Sequence, residues 1–123
     1  MAYILPEYYT VLEEHIAEQN ASFTVRLNTE CAVYQGHFPE QPIAPGVCNI
    51  QMLTECVSRA VNQPLCLTHI RQCRFISLVT PQKTPFLDIN IQWEKKEEHV
   101  SFTATLSCQK EGLMTMKASA KTV

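Results

Sequence analysis

The chain has 123 residues, 46% hydrophobic and 18% charged, with a formal net charge of −2. This suits one domain over 1–123 with a modest core, and it argues against general nucleic-acid binding, which wants a basic face. No apolar run approaches the roughly 18 residues of a membrane span, and MAYILPEYY has neither a basic nor a long apolar leader region. A cytoplasmic protein with no membrane or nucleic-acid partner is expected.

In chain order, residues 8–16 mix aromatic, β-branched and acidic types, leaving strand and short helix both open. Phe23, Val25 and Leu27 alternate with polar neighbours, the pattern of a half-buried strand. Residues 29–35 read as a connector with room for one helical turn. The next stretch, GHFPEQPIAPG, carries three prolines that fix φ and push the preceding residues into extended conformations. Such a loop can hold His37 at one place relative to the helix start, while Gly46, lacking a Cβ, lets another molecule approach the backbone. A helix N-terminus presents unpaired N–H groups and partial positive charge, suited to a polarised carbonyl. Histidine with an aimed N–H is a minimum for proton transfer beside a carbonyl.

From 47 to about 61 the period changes. Val47, Ile50, Leu53, Val57 and Ala60 follow helical steps, and Cys48, Met52 and Cys56 widen the apolar face. A helix so apolar must be surrounded, and Asn62-Gln63-Pro64 ends it. Strands are expected at 65–79, at 86–93 with Leu87, Ile89, Ile91 and Trp93 on one face, at 100–108 after a charged turn at 94–98, and at 114–120 after a hairpin at Lys110-Glu111-Gly112. One buried helix followed by meandering strands implies an α+β domain, an antiparallel sheet wrapped around one long central helix. The six cysteines contain no CxxC pair and read as small hydrophobes, with Cys48 and Cys56 candidates to line an apolar pocket. No metal or cofactor is expected from any spacing. His15, His69 and His99 lack the context of His37 and read as ordinary surface or core histidines.

The core HFPEQPIAPG, with RQCRFISLVTP downstream, resembles the β-hydroxyacyl-acyl-carrier-protein dehydratases, a hotdog-fold family. The resemblance covers about residues 21–121. It implies a strand at 8–16 and a homodimer, or a higher oligomer of dimers, with each active site at the subunit interface. It implies that His37 is the base, oriented by the carbonyl of Ile43, and that the Gly46 N–H polarises the thioester. Phe38, Pro45, Val47, Ile50 and Leu53 are then candidates for the acyl channel, and the His37–Phe38 peptide is expected to be cis. The substrate would arrive on an acyl carrier protein, with Arg71, Arg74 and Lys83 as candidates to steer that acidic partner.

The chain departs from the family at position 51, where the dehydratases have a carboxylate, supplied to each site from the partner subunit's helix, and this chain has Gln51. An amide binds a hydroxyl or a water but cannot release and regain a proton near neutral pH. Glu55 lies one turn on, about 6 Å along the axis. Two readings of Glu55 stand: it supplies the proton through a water held by Gln51, or it is an ordinary polar residue towards the helix end, facing solvent or an arginine. The competing readings are a hotdog acyl-thioesterase and an acyl-binding or partner subunit that has lost the acid.

Overall fold

The structure, a computed structural model, describes residues 8–28, 46–77 and 85–123. Its elements are β1 (Tyr9–Ile16), β2 (Asn20–Leu27), α1 (Gly46–Val61), β3 (Leu65–Phe75), β4 (Phe86–Lys96), β5 (His99–Cys108) and β6 (Glu111–Thr122). All described strand pairs are antiparallel, in the order β1-β2-β4-β5-β6-β3. The connector at 29–35, the proline loop and the His37–Phe38 peptide lie outside the described residues.

The period-two patterns become the inner face of the sheet. Leu87, Ile89 and Ile91, then Val100, Phe102, Ala104 and Leu106, then Met114, Met116, Ala118 and Ala120 are all buried. The register places Phe23 opposite Ile89, Ile91 opposite Ala104 and Ala104 opposite Met116, so the buried side chains of neighbouring strands share one face. The opposite face carries Thr103, Thr105, Lys117 and Ser119, half-buried or exposed.

Helix α1 covers the apolar face, with Met52, Leu53, Cys56 and Val57 at most 1% exposed. Asn49, Thr54, Glu55 and Ser58 are buried as well, so burial extends well round its circumference. At 16 residues the helix is of ordinary length. The expectation of a long central helix is therefore met only as one helix against an antiparallel sheet. Asn62 closes it at φ 58°, in the left-handed region that asparagine tolerates at a C-terminus, and the Gln63 N–H donates back to the Ser58 carbonyl.

Three boundaries differ from the sequence reading. The hairpin expected at Lys110-Glu111-Gly112 turns instead at Gln109 and Lys110, with φ of 51° and 71°, and Glu111 already belongs to β6. Strand β4 runs on to Lys96, because the turn needs only Glu97 in a left-handed conformation. Strand β3 ends at Phe75, after which the Ile76 and Ser77 N–H groups both donate to the Leu113 carbonyl. No described helix is long and apolar enough to cross a membrane.

Candidate functional site

Gly46, Ile50, Gln51 and Glu55 are brought onto one helix by the apolar periodicity that forms α1. His37, Phe38, Ile43 and Pro45 lie outside the described residues, as does the side chain of Val47. Gly46 is the first helical residue, where backbone N–H groups have no partner within the helix. A Cβ built there would stand 2.9 Å from Cζ of Phe75, the last residue of β3, so the ring occupies the space a side chain would need. The glycine therefore serves close packing, and its φ is not positive. Ile50 is half-buried and packs against the core.

Gln51 and Glu55 meet directly. The Gln51 Nε2 donates to Glu55 Oε2 at 3.0 Å, the i to i+4 contact that one helical turn allows. Glu55 is only 5% exposed, so it does not face solvent as a surface residue near a helix end would. Its other oxygen, Oε1, accepts from the Tyr9 hydroxyl at 2.8 Å. Burying a carboxyl group is costly unless its oxygens are hydrogen-bonded, and here each has a donor. Tyr9 reaches the helix because β1 pairs Tyr9 with Leu27 and Val11 with Val25, both on the apolar face.

Two neighbouring contacts tie this strand and the residue before it to the same helix. The Tyr8 hydroxyl donates to Asn49 Oδ1 at 2.7 Å, with both residues buried. Beyond a bulge between Val11 and Glu13, the register puts Glu14 opposite buried Phe23, and Glu14 takes two hydrogen bonds from Arg59, at 2.6 and 3.3 Å. The hydrogen bond from Arg59 holds the Glu14 carboxyl below its ordinary value. Cys56, packed beside this group, has its thiol pushed up to about 12, chiefly by burial and then by the charge of Glu55. It is a protonated core thiol rather than a nucleophile.

Sequence reasoning missed Tyr9, Tyr8 and Asn49. The tyrosines stand 46 and 41 residues from their helix partners, and no local pattern carries such a pairing. The only sequence signal was the Tyr-Tyr pair at the head of an uncertain strand.

Other expectations resolve as surface features. His15 is exposed and 2.8 Å from Glu13, and His69 and His99 are exposed. Arg71 bonds the Ser119 and Ser101 hydroxyls at 3.0 and 3.4 Å. Ser119 alternates with buried Ala118 and Ala120, so Arg71 lies on the sheet face away from the helix and not at a channel beside Gly46. Irregular register between Ile70 and Gln72 turns it there. Lys83 is outside the described residues. Cys48 and Cys56 are buried and Cys73 and Cys108 half-buried, while Cys66 is exposed, alternating outward between half-buried Leu65 and Leu67.

The profile of the ApeI-like family, described as ApeI dehydratase, matches residues 13–117. Among solved structures the chain is similar to the dehydratase heterocomplex ApeI:P from Xenorhabdus doucetiae. The two share 20% identity and a TM-score of 0.73, over 91% of this chain and 96% of that one. An uncharacterized protein from Erwinia carotovora subsp. atroseptica shares 15% identity and a TM-score of 0.72, over 94% and 97%. A hypothetical thioesterase with coenzyme A from Streptococcus pneumoniae shares 6% identity and a TM-score of 0.67, over 94% and 85%. At these identities the structures share a fold. Comparison with curated proteins gives no match.

Proposed function

Because this chain belongs to the ApeI-like dehydratase family, a hotdog family, we propose that it dehydrates 3-hydroxyacyl thioesters carried on an acyl carrier protein. The product is the trans-2-enoyl thioester and one water, as in fatty acid or a related lipid or polyketide-like synthesis. One hotdog domain spanning 1–123, its sheet curled round α1, performs it in the cytoplasm.

The reaction needs a base for the α-proton, a donor for the thioester oxygen and an acid for the leaving hydroxyl. His37 takes the α-proton, and the Gly46 N–H at the head of α1 stabilises the charge that builds on the oxygen. As the carbon–oxygen bond breaks, the neutral carboxyl group of Glu55 on the second copy's helix gives its proton to the hydroxyl by way of a water held by Gln51, becoming a carboxylate, and water leaves. The proton then on His37 returns to Glu55 through solvent, closing the cycle.

The observation that carries this reading is Glu55 itself, 5% exposed and hydrogen-bonded through both oxygens. Gln51 spends an N–H on that carboxyl group, which leaves its Oε1 to accept from a water or a hydroxyl. Phe75, packed on Gly46, adds apolar surface where an acyl thioester would need water excluded.

The reading includes a second copy of the chain along β3, which ends the described sheet and exposes Ile70 and Phe75. The Xenorhabdus protein is a heterocomplex, so a different chain is the other candidate for that edge.

Incubating the purified full chain with 3-hydroxybutyryl and crotonyl thioesters tests the function. Conjugated-enoyl absorbance should fall with crotonyl substrate and rise with the hydroxy substrate. Release of free thiol instead would indicate a thioesterase, and silence in both channels an acyl-binding subunit.

A further inference from the structure

We propose that Tyr9 is a positioning residue for the dehydration, fixing the carboxyl group of Glu55 in the one orientation from which it serves the leaving hydroxyl. The inference rests on the dehydratase reading and deepens it. A glutamate has three side-chain torsions, and burial alone leaves it several rotamers. Here Tyr9 holds Oε1 at 2.8 Å and Gln51 holds Oε2 at 3.0 Å, so the plane of the carboxyl group is defined from two elements, strand and helix. A tyrosine suits the task because only two torsions place its hydroxyl, and less entropy is lost in ordering it.

The Tyr9 ring is itself held. It meets the ring of Tyr8 edge-on, with centroids 6.5 Å apart and planes at 77°, an arrangement that aromatic quadrupoles favour. Tyr8 is anchored in turn by its 2.7 Å bond to Asn49, in the first turn of α1. A run of four side chains, Asn49–Tyr8–Tyr9–Glu55, thus leaves the helix near Gly46, passes through β1 and returns to the helix at Glu55. It fixes the carboxyl group of the acid relative to the helix that carries it, through contacts from β1 and the residue before it.

A hydroxyl that merely satisfies a buried carboxylate would matter for stability alone; one that aims the acid would matter for turnover in proportion to what the acid does. Kinetics of full-length Tyr9→Phe, Glu55→Gln and the double variant on the 3-hydroxybutyryl thioester separate these. We expect Tyr9→Phe to lower kcat about 10- to 100-fold with KM within about twofold, the range for a hydrogen bond to a charged group. Added to Glu55→Gln, it should cost less than about twofold more. Where Tyr9→Phe fails to fold, 3,5-difluorotyrosine placed at position 9 keeps the ring and changes only the acidity of its hydroxyl. Its kcat should then move in the wild-type background and stay still in Glu55→Gln. An unchanged kcat in both Tyr9 replacements, or losses that multiply in full with Glu55→Gln, overturns the positioning role while leaving Glu55 as the acid. Undiminished turnover in Glu55→Gln, or an inactive wild type, overturns the dehydratase relay beneath it and the positioning role together.

Discussion

The Tyr9 hydroxyl lies 2.8 Å from Glu55 Oε1, joining an edge strand to a buried position on α1 across 46 residues of chain. That contact ties the fold of this protein to its proposed chemistry, and the first four outcomes below depend on it or on its neighbours.

Glu55→Gln should keep the fold, since an amide of the same size can still accept from Tyr9. Turnover of a 3-hydroxyacyl thioester should fall by about 10²- to 10⁴-fold, the usual contribution of a placed acid. Gln51→Glu, which returns a carboxylate to the family's position, should recover part of that loss in the Glu55→Gln background. Enoyl absorbance in initial-rate assays reads both.

Tyr8→Phe leaves Asn49 Oδ1, 2% exposed as a residue, without the donor it has at 2.7 Å. Stability should drop by about 1–3 kcal/mol, the range for a buried acceptor deprived of its partner. Urea denaturation measures it, and a change under about 0.3 kcal/mol would mean that another donor replaces the phenol.

Cys56 predicts an alkaline weakness. Its folded thiol keeps the proton to about 12, against an ordinary 9.0. Between those values the native chain binds more protons than the unfolded chain, so stability falls as pH rises. The slope from this group is at most about 1.4 kcal/mol per pH unit, and the contribution is complete below 9. Cys56→Ala should flatten the pH 9–11 stability curve relative to wild type.

Arg59→Ala should act at the acid end and weakly. The folded Glu14 carboxyl titrates below its ordinary value because Arg59 donates to it, so the stabilisation is present above that value and is lost as pH falls through the lowered one. Side chains 39% and 37% exposed are strongly screened, so the neutral-pH cost should be at most about 1 kcal/mol. It should shrink in 1 M salt and vanish in strong acid.

The β3 edge should set oligomeric state. Light scattering on the wild type should give twice the chain's 14.0 kDa, and Ile70→Lys, a charge placed on an exposed apolar edge position, should give the monomer. A wild type that is monomeric alone and pairs only with a different chain would point to a heterocomplex instead.

Much of this fold is legible in the order of residues, because local patterns carry it. Alternation at 87–93, 100–106 and 114–120 is a strand property whatever the partner, and the three- and four-residue steps from Ile50 to Ala60 are a helix property. Turn positions were less legible: Gln109 and Lys110 adopt positive φ without a glycine, so the glycine at 112 misled. The pairing of Gln51 with Glu55 also follows from sequence, since one helical turn must bring them together. What the sequence could not decide is everything that crosses from one element to another. Leu65–Phe75 could have placed Arg71 on either face until the irregular register beside Ile70 turned it outward. Glu55 could have faced solvent until β1 closed over it. Side chains 41 and 46 positions apart meet only when the register of β1 on β2 and the seat of α1 on the sheet are both set. Those are properties of the packed core as a whole, and no window of neighbouring residues contains them.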